Sequence, residues 1–252
     1  MKRILSMTPS QLTNLSKEEL LAGIVGSEGR TLASETIGIL PPLLTTITNA
    51  EFAASMGADM ILLNMFDVQD PEIFGLPSVE KTETVRELKR LTGRLVGINL
   101  EPVDEATSTS QEESLWSVSA GRYATVENAV LASKMGVDMI VLTGNPGNQV
   151  SNEAITHSLE NISREIGEDI VLAAGKMHAS GVVSEGGENI ITKEDIQQFA
   201  DAGADVILLP APGTVPGITT EYIRQLVSFS HSLDKLTITS IGTSQDGADT
   251  DT

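Results

Sequence analysis

The string MGADMILL at residues 56–63 returns as MGVDMIVL at 135–142 and as AGADVILL at 202–209. In each copy a stretch with helical spacing of apolar residues runs into a glycine, then a small residue, then aspartate, then a continuous apolar run. A helix that ends on a left-handed residue favours glycine there, so Gly57, Gly136 and Gly203 read as helix C-caps. The runs after Asp59, Asp138 and Asp205 are unbroken rather than alternating, as expected of parallel strands covered on both faces. Internal similarity at this spacing, about two β/α periods, calls for one further strand between neighbouring copies.

Those strands are present. GRLVGINLEP (93–102) lies between the first two copies and EDIVLAAGKMH (168–178) between the last two, with TIGILPP (36–42) before and DKLTITSIGTS (234–244) after. The expected strands are 37–41, 59–64, 95–100, 138–142, 169–174, 205–209 and 236–241. Helix starts are marked by capping boxes at Ser16 with Glu19, Thr48 with Glu51 and, in weaker form, Thr192 with Asp195. Regular alternation over 252 residues gives a (β/α)₈ TIM barrel as the expected fold, with an open doubly wound parallel sheet as the alternative. The chain reads as a single domain over 1–252, in which residues 1–35, with helical patterns at 10–15 and 17–25, form an N-terminal cap. An eighth βα unit is not found within the chain; truncation is the expected reading, with closure by an N-terminal helix or a partner subunit, or an open sheet, as alternatives.

Composition narrows the function. With 16 Lys+Arg against 35 Asp+Glu, the formal net charge is −19, which repels a phosphate backbone, so no nucleic-acid partner is expected. No run of about 18 apolar residues exists, so no membrane span is expected. The absence of cysteine excludes disulfides and thiolate metal sites. The first residues lack a secretion-signal pattern, and a cytoplasmic location is expected. An unclosed barrel favours association into homo-oligomers.

In barrel enzymes the chemistry sits on the loops that follow the strands. Asn64 and Asp67 follow the second strand, Glu101 and Asp104 the third, Thr143 and Asn145 the fourth, Lys176 and His178 the fifth, and Gly242, Thr243 and Ser244 the seventh. Glu101, Asp104 and Asp67 offer the oxygen ligands that Mg²⁺ requires, and such an ion would polarise a carboxylate or enolate oxygen. Alternatively they are solvated acids in an acidic chain. Lys176 and His178 leave the same face if strand geometry persists to residue 178. There the lysine can bind an anion or form an imine, and the histidine can move protons. The bland reading pairs Lys176 with a neighbouring acid such as Glu101. His157 and His231 fall in helical stretches and read as packed or solvated.

TGNPGN, PAPGTVPG and IGTSQDG can present backbone N–H groups to a phosphate or carboxylate, the last at the fold's usual phosphate position. Residues 101–124 form a long connection that reads either as a lid carrying Trp116 and the anion-seeking Arg122, or as a segment whose Trp116 packs on the barrel exterior. No GxxxxGK[ST], GxGxxG, HExxH or GxSxG string is present, so no nucleotide cofactor is expected.

MGADMILLNMFD, GINLEPVD, LTGNPGN, AAGKMHASG and LLPAPGTVPG together resemble a bacterial TIM-barrel family labelled phosphoenolpyruvate phosphonomutase-like or, in places, haloacid-dehalogenase-like. The resemblance spans most of the chain. It implies Mg²⁺ held by acids after barrel strands and small 2-oxo acids or enol phosphates as substrates. Glu101 with Asp104 matches that site in kind. The Asp-x-Asp ligand pattern, the KKCGH-type lyase motif and the dehalogenase DxDx[TV] motif are absent.

The expected function is therefore a lyase, aldolase or phosphonomutase-like enzyme for a small anionic metabolite. Lys176, His178 and Glu101 would be catalytic. Asn64, Asn145, Gly242, Thr243, Ser244 and Arg122 would bind substrate or phosphate, and Glu101, Asp104 and Asp67 would bind Mg²⁺. The contrasting expectation is a non-catalytic barrel used for ligand sensing or assembly.

Overall fold

A computed structural model describes residues 2–103, 118–144, 150–178 and 186–241. Among these residues, seven strands form one sheet in the order β1-β2-β3-β4-β5-β6-β7, with helices between them. Chain-order succession is the mark of a barrel-type β/α fold lacking one unit. A doubly wound sheet would reverse its order at a switch point. The described residues divide into two compact units, one of 2–100, 118–140 and 168–171, the other of 101–103, 141–144, 150–167, 172–178 and 186–241.

The first unit contains α1 (Pro9–Leu12), α2 (Lys17–Gly26), β1 (Ala33–Ile37), α3 (Asn49–Ser55), β2 (Met60–Asn64), α4 (Thr84–Thr92), β3 (Leu95–Leu100) and α5 (Val126–Met135). β1 pairs in parallel with β2 and β2 with β3, Met60 lying opposite both Ala33 and Leu95. Ile61, Leu63, Val96 and Ile98 are fully buried, each burial stabilising by about 1.5–3 kcal/mol relative to exposure. The second unit holds α6 (Asn152–Ile166), α7 (Lys193–Asp201), β6 (Val206–Pro210), α8 (Thr220–Ser232) and β7 (Leu236–Ser240), with β5 (Val171–Gly175) and β4 (Met139–Leu142) reaching into it.

The repeated glycine-aspartate motif has the same structural job in all three copies. Gly57, Gly136 and Gly203 have φ of +105°, +91° and +109°, the left-handed caps expected. Each aspartate then clasps the start of the preceding strand with two bonds. The Asp59 N–H donates to the Leu32 carbonyl at 2.8 Å, and the Leu32 N–H donates to the Asp59 carboxylate at 2.8 Å. Asp138 does the same with Val96 at 2.8 and 2.8 Å, and Asp205 with Leu172 at 2.8 and 2.9 Å. A strand's first N–H and C=O lack ladder partners, and the clasp satisfies both while fixing register.

All three sequence-marked clasps gain further support, the first from Arg94, which donates to the Ala58 carbonyl at 2.6 Å. Lys89, on the buried face of α4, donates to the Asp138 carboxylate at 2.8 Å and to the Gly136 carbonyl at 3.1 Å, binding the end of α5 to the start of β4. The Ser163 hydroxyl of α6 donates to the Ala202 carbonyl at 2.8 Å, just before Gly203. The capping boxes at Ser16, Thr48 and Thr192 are all formed.

The first strand is displaced from its expected place. It spans 33–37 rather than 37–41, because the Leu32–Asp59 clasp sets where pairing begins. Pro41 and Pro42, which supply no N–H to a ladder, fall in the turns beyond it. No helix among the described residues is long and apolar enough to cross a membrane.

Candidate functional site

The second unit places two ionisable side chains in near-complete burial at strand ends. Glu101 follows β3 directly and is 4% exposed; Lys176 follows β5 directly and is 1% exposed. Both sit at the C-terminal ends of their strands, the side on which barrel folds place chemistry. Withdrawing a carboxylate or an ammonium from water costs several kcal/mol unless partners compensate.

β5 ends in small residues, Ala173, Ala174 and Gly175, all buried. Gly175 adopts φ +150°, and a Cβ there would fall 2.1 Å from the Leu208 carbonyl oxygen. Only a residue without a side chain lets β5 approach β6 this closely. The strand stops there, so alternation does not carry through to residue 178. His178 is half-buried two residues past Lys176, and Met177 between them accepts a hydrogen bond on its sulfur from the Ser240 hydroxyl of β7, at 3.7 Å.

Thr143 follows β4 as Glu101 follows β3. The clasp that sets Asp138 against Val96, together with the close approach of Gly97 to Met139, aligns the starts of β3 and β4. The same offset carried to the strand ends puts Glu101 beside Thr143. A Cβ added at Gly144 would come within 3.5 Å of Glu101 Cγ, so the two ends stay adjacent. The loop after β6, read as a phosphate cradle, closes on itself instead. The N–H groups of Gly213, Thr214 and Ile218 donate to the carbonyls of Ile218, Ala211 and Val215.

In the first unit, Asn64 ends β2 with both ends of its amide engaged. It donates to Glu35 at 3.0 Å and accepts from the Met65 N–H at 2.8 Å. Asp67 Oδ1 accepts from the N–H groups of Gln69 (2.8 Å) and Asp70 (3.0 Å), and Ser119 also hydrogen-bonds its side chain. Burial pushes this carboxyl up, but the Ser119 and backbone hydrogen bonds, with the Arg122 charge, outweigh it and hold Asp67 below the ordinary value. Gly121 packs so tightly here that a Cβ would lie 1.7 Å from Asp67 Oδ1. Arg122, 8% exposed, sits in the 3₁₀ turn Ala120–Arg122. The structure thus brings Asp67 and Arg122 together, and it does so in a loop-fixing arrangement completed by Asn128. Asn128 accepts from Gln69 at 3.0 Å and donates to the Ala120 and Tyr123 carbonyls.

Asp104, Asn145, Gly242, Thr243, Ser244 and residues 104–117 of the 101–124 connection, with Trp116, lie outside the described residues. Among the described residues no three Asp, Glu or His side chains are grouped to hold a metal ion, and Asp67 directs its inner oxygen to backbone N–H groups. His157 and His231 lie within α6 and α8, as their helical spacing implies.

The sequence family described as a domain of unknown function, DUF7916, matches residues 5–252. The chain belongs to that family. No curated protein matches this DUF7916 chain. Its fold is similar to that of a provisionally named lyase/mutase from Burkholderia cenocepacia J2315, with a TM-score of 0.52 and 16% identity over 94% of this chain and 78% of that one. It is also similar to 2,3-dimethylmalate lyase, a member of the PEP mutase/isocitrate lyase superfamily (TM-score 0.50, 13% identity, 92% and 77% covered). Phosphonopyruvate hydrolase matches with TM-score 0.50 and 13% identity over 92% of this chain and 82% of its own. At such identities the likeness is one of fold.

Proposed function

We propose that this DUF7916 protein is an enzyme of lyase or aldolase type that acts on a small anionic 2-oxo or hydroxy acid. The observation that carries the reading is the burial of Lys176 and Glu101 at the C-terminal ends of β5 and β3. The fold's likeness to a dimethylmalate lyase and a phosphonopyruvate hydrolase supports the same substrate class.

The chemistry follows from the groups. Lys176 binds the carbonyl or carboxylate oxygen of the substrate, where its N–H donors stabilise the enolate that forms on C–C cleavage. Glu101 takes the proton from the substrate hydroxyl as that bond breaks, and His178 returns a proton to the enolate carbon.

The test is turnover. A panel of hydroxy acids and 2-oxo acids, with phosphorylated analogues, is assayed for release of a carbonyl product by wild type, Lys176→Met and Glu101→Gln. Turnover of at least one member, lost by roughly 10²-fold or more in both variants, is expected. Borohydride reduction in the presence of that substrate reads whether Lys176 also bonds covalently, by a mass adduct on its peptide. Absence of turnover across the panel, or full activity in Lys176→Met, refutes the reading and leaves the binding-only barrel in its place.

A further inference from the structure

We propose that Thr143 is a substrate-contacting, specificity-determining residue whose hydroxyl, next to Glu101, recognises the hydroxyl group of a hydroxy-acid ligand. The inference rests on the site proposed above and names what that site selects for.

Thr143 is 3% exposed, and among the described residues no group hydrogen-bonds its Oγ1. Among the described residues the buried Oγ1 atoms of Thr31 and Thr36 also lack a partner, whereas three other buried hydroxyls are satisfied. Ser27 donates to Gly23 O at 2.9 Å, Ser230 to Leu226 O at 2.9 Å and Thr214 to Ala211 O at 2.6 Å. A buried hydroxyl with no partner is costly, and valine would fill the same volume without the cost. Valine would also continue the apolar run Met139–Leu142 that precedes this position. The hydroxyl therefore works against packing, as expected of a group kept for a ligand.

Its position says which ligand. The offset set by the Val96–Asp138 clasp, extended one residue past each strand, brings the backbone of Thr143 opposite that of Glu101, and the stem of Glu101 lies against Gly144. The Val171 N–H donates to the Asp138 carbonyl, an offset that extended to the end of β5 reaches Gly175 opposite Thr143, and the Leu208 carbonyl keeps Gly175 without a side chain. A hydroxyl donor beside a carboxylate acceptor is the pair that a ligand hydroxyl satisfies in both directions. It accepts from Thr143 and donates to Glu101. A bare carboxylate at the same place would meet Glu101 with like charge. A site that hydrogen-bonds a substrate hydroxyl discriminates strongly against the analogue lacking it, because the buried groups are then left unpaired.

The experiment compares matched pairs by calorimetry and thermal shift: glycolate against acetate, lactate against propionate, malate against succinate. Wild type is expected to bind at least one hydroxy acid about tenfold or more tightly than its deoxy partner. Thr143→Val is expected to shrink that preference to within about twofold and to melt higher than wild type without ligand. Thr143→Ser restores the preference. Equal binding within every pair, a preference that survives Thr143→Val, or a ligand-free Thr143→Val that melts lower than wild type overturns the inference. Turnover is read separately. A preference that depends on Thr143 without catalysis upholds this inference and refutes the enzyme reading, and catalysis with no such preference does the reverse.

Discussion

Replacing Lys89 with methionine isolates the ion pair inside the second clasp. Lys89 and Asp138 are 2.8 Å apart with side chains 9% and 12% exposed. Burial pushes the Asp138 carboxyl up; the Lys89 ammonium and the Val96 N–H pull it back only in part. Methionine keeps the apolar stem that packs on α5 and removes the charge. Breaking a buried pair at one end costs about 3–5 kcal/mol, and the lower figure applies here because Asp138 retains the Val96 N–H and can protonate. For a chain of this size about 3 kcal/mol lowers the melting temperature by roughly 6–12 °C.

The pH dependence fixes the mechanism. In Lys89→Met the folded Asp138 titrates higher still above its unfolded value. Between those two values the folded state holds a proton that the unfolded state has released, so stability falls as pH rises through the window. Below about pH 4 both states are protonated and the penalty vanishes. Thermal melts by far-UV circular dichroism should therefore show Lys89→Met far below wild type at pH 7 and closer to it near pH 4.5. Adding Asp138→Asn, which keeps an acceptor for Val96 without a charge, should bring the double variant to within about 1.5 kcal/mol of wild type. A deficit equal at both pH values, or a double variant as weak as the single effects summed, refutes the reasoning.

Other outcomes follow from the same geometry. Gly175→Ala places a Cβ 2.1 Å from the Leu208 carbonyl at φ +150°; a loss of about 3 kcal/mol or more is expected in urea denaturation. Gly121→Ala meets Asp67 Oδ1 at 1.7 Å and the Gln69 nitrogen at 2.7 Å, and should cost about 1–3 kcal/mol while releasing the loop that follows β2, read as faster amide exchange at Gln69 and Asp70. Because Asp67 is held below its ordinary value, its contribution is complete above about pH 4 and is lost as pH falls through the folded value. Asp67→Asn should therefore flatten that part of the acid-unfolding curve.

Much of the fold was legible because helix ends and strand starts are written locally. A glycine that must take positive φ, an aspartate one residue removed from it and an apolar run mark the junction in any one copy, and the repeat supplies the count. The job of the aspartate was not legible, since the residues it clasps, Leu32, Val96 and Leu172, carry no polar signature. The first strand went astray for that reason. TIGILPP read as a strand over 37–41, whereas the clasp on Leu32, visible in space alone, starts the strand at Ala33.

The site divides on the same principle. Asp67 drew attention as a loop acid beyond a barrel strand, but the spacing Asp-Val-Gln-Asp carried another signal. A carboxylate followed at two and three positions by free N–H groups folds back on its own backbone, and Asp67 does so. An acid that has spent an oxygen locally has little left for a cation. Glu101 has Pro102 after it, so the N–H one position on is missing, and it leaves its strand already buried. Thr143 was visible in sequence as the residue after the fourth strand, yet a threonine there looks like any strand terminus. What singles it out is a missing hydrogen bond, and an unmet bond is a property of surroundings that no residue type announces.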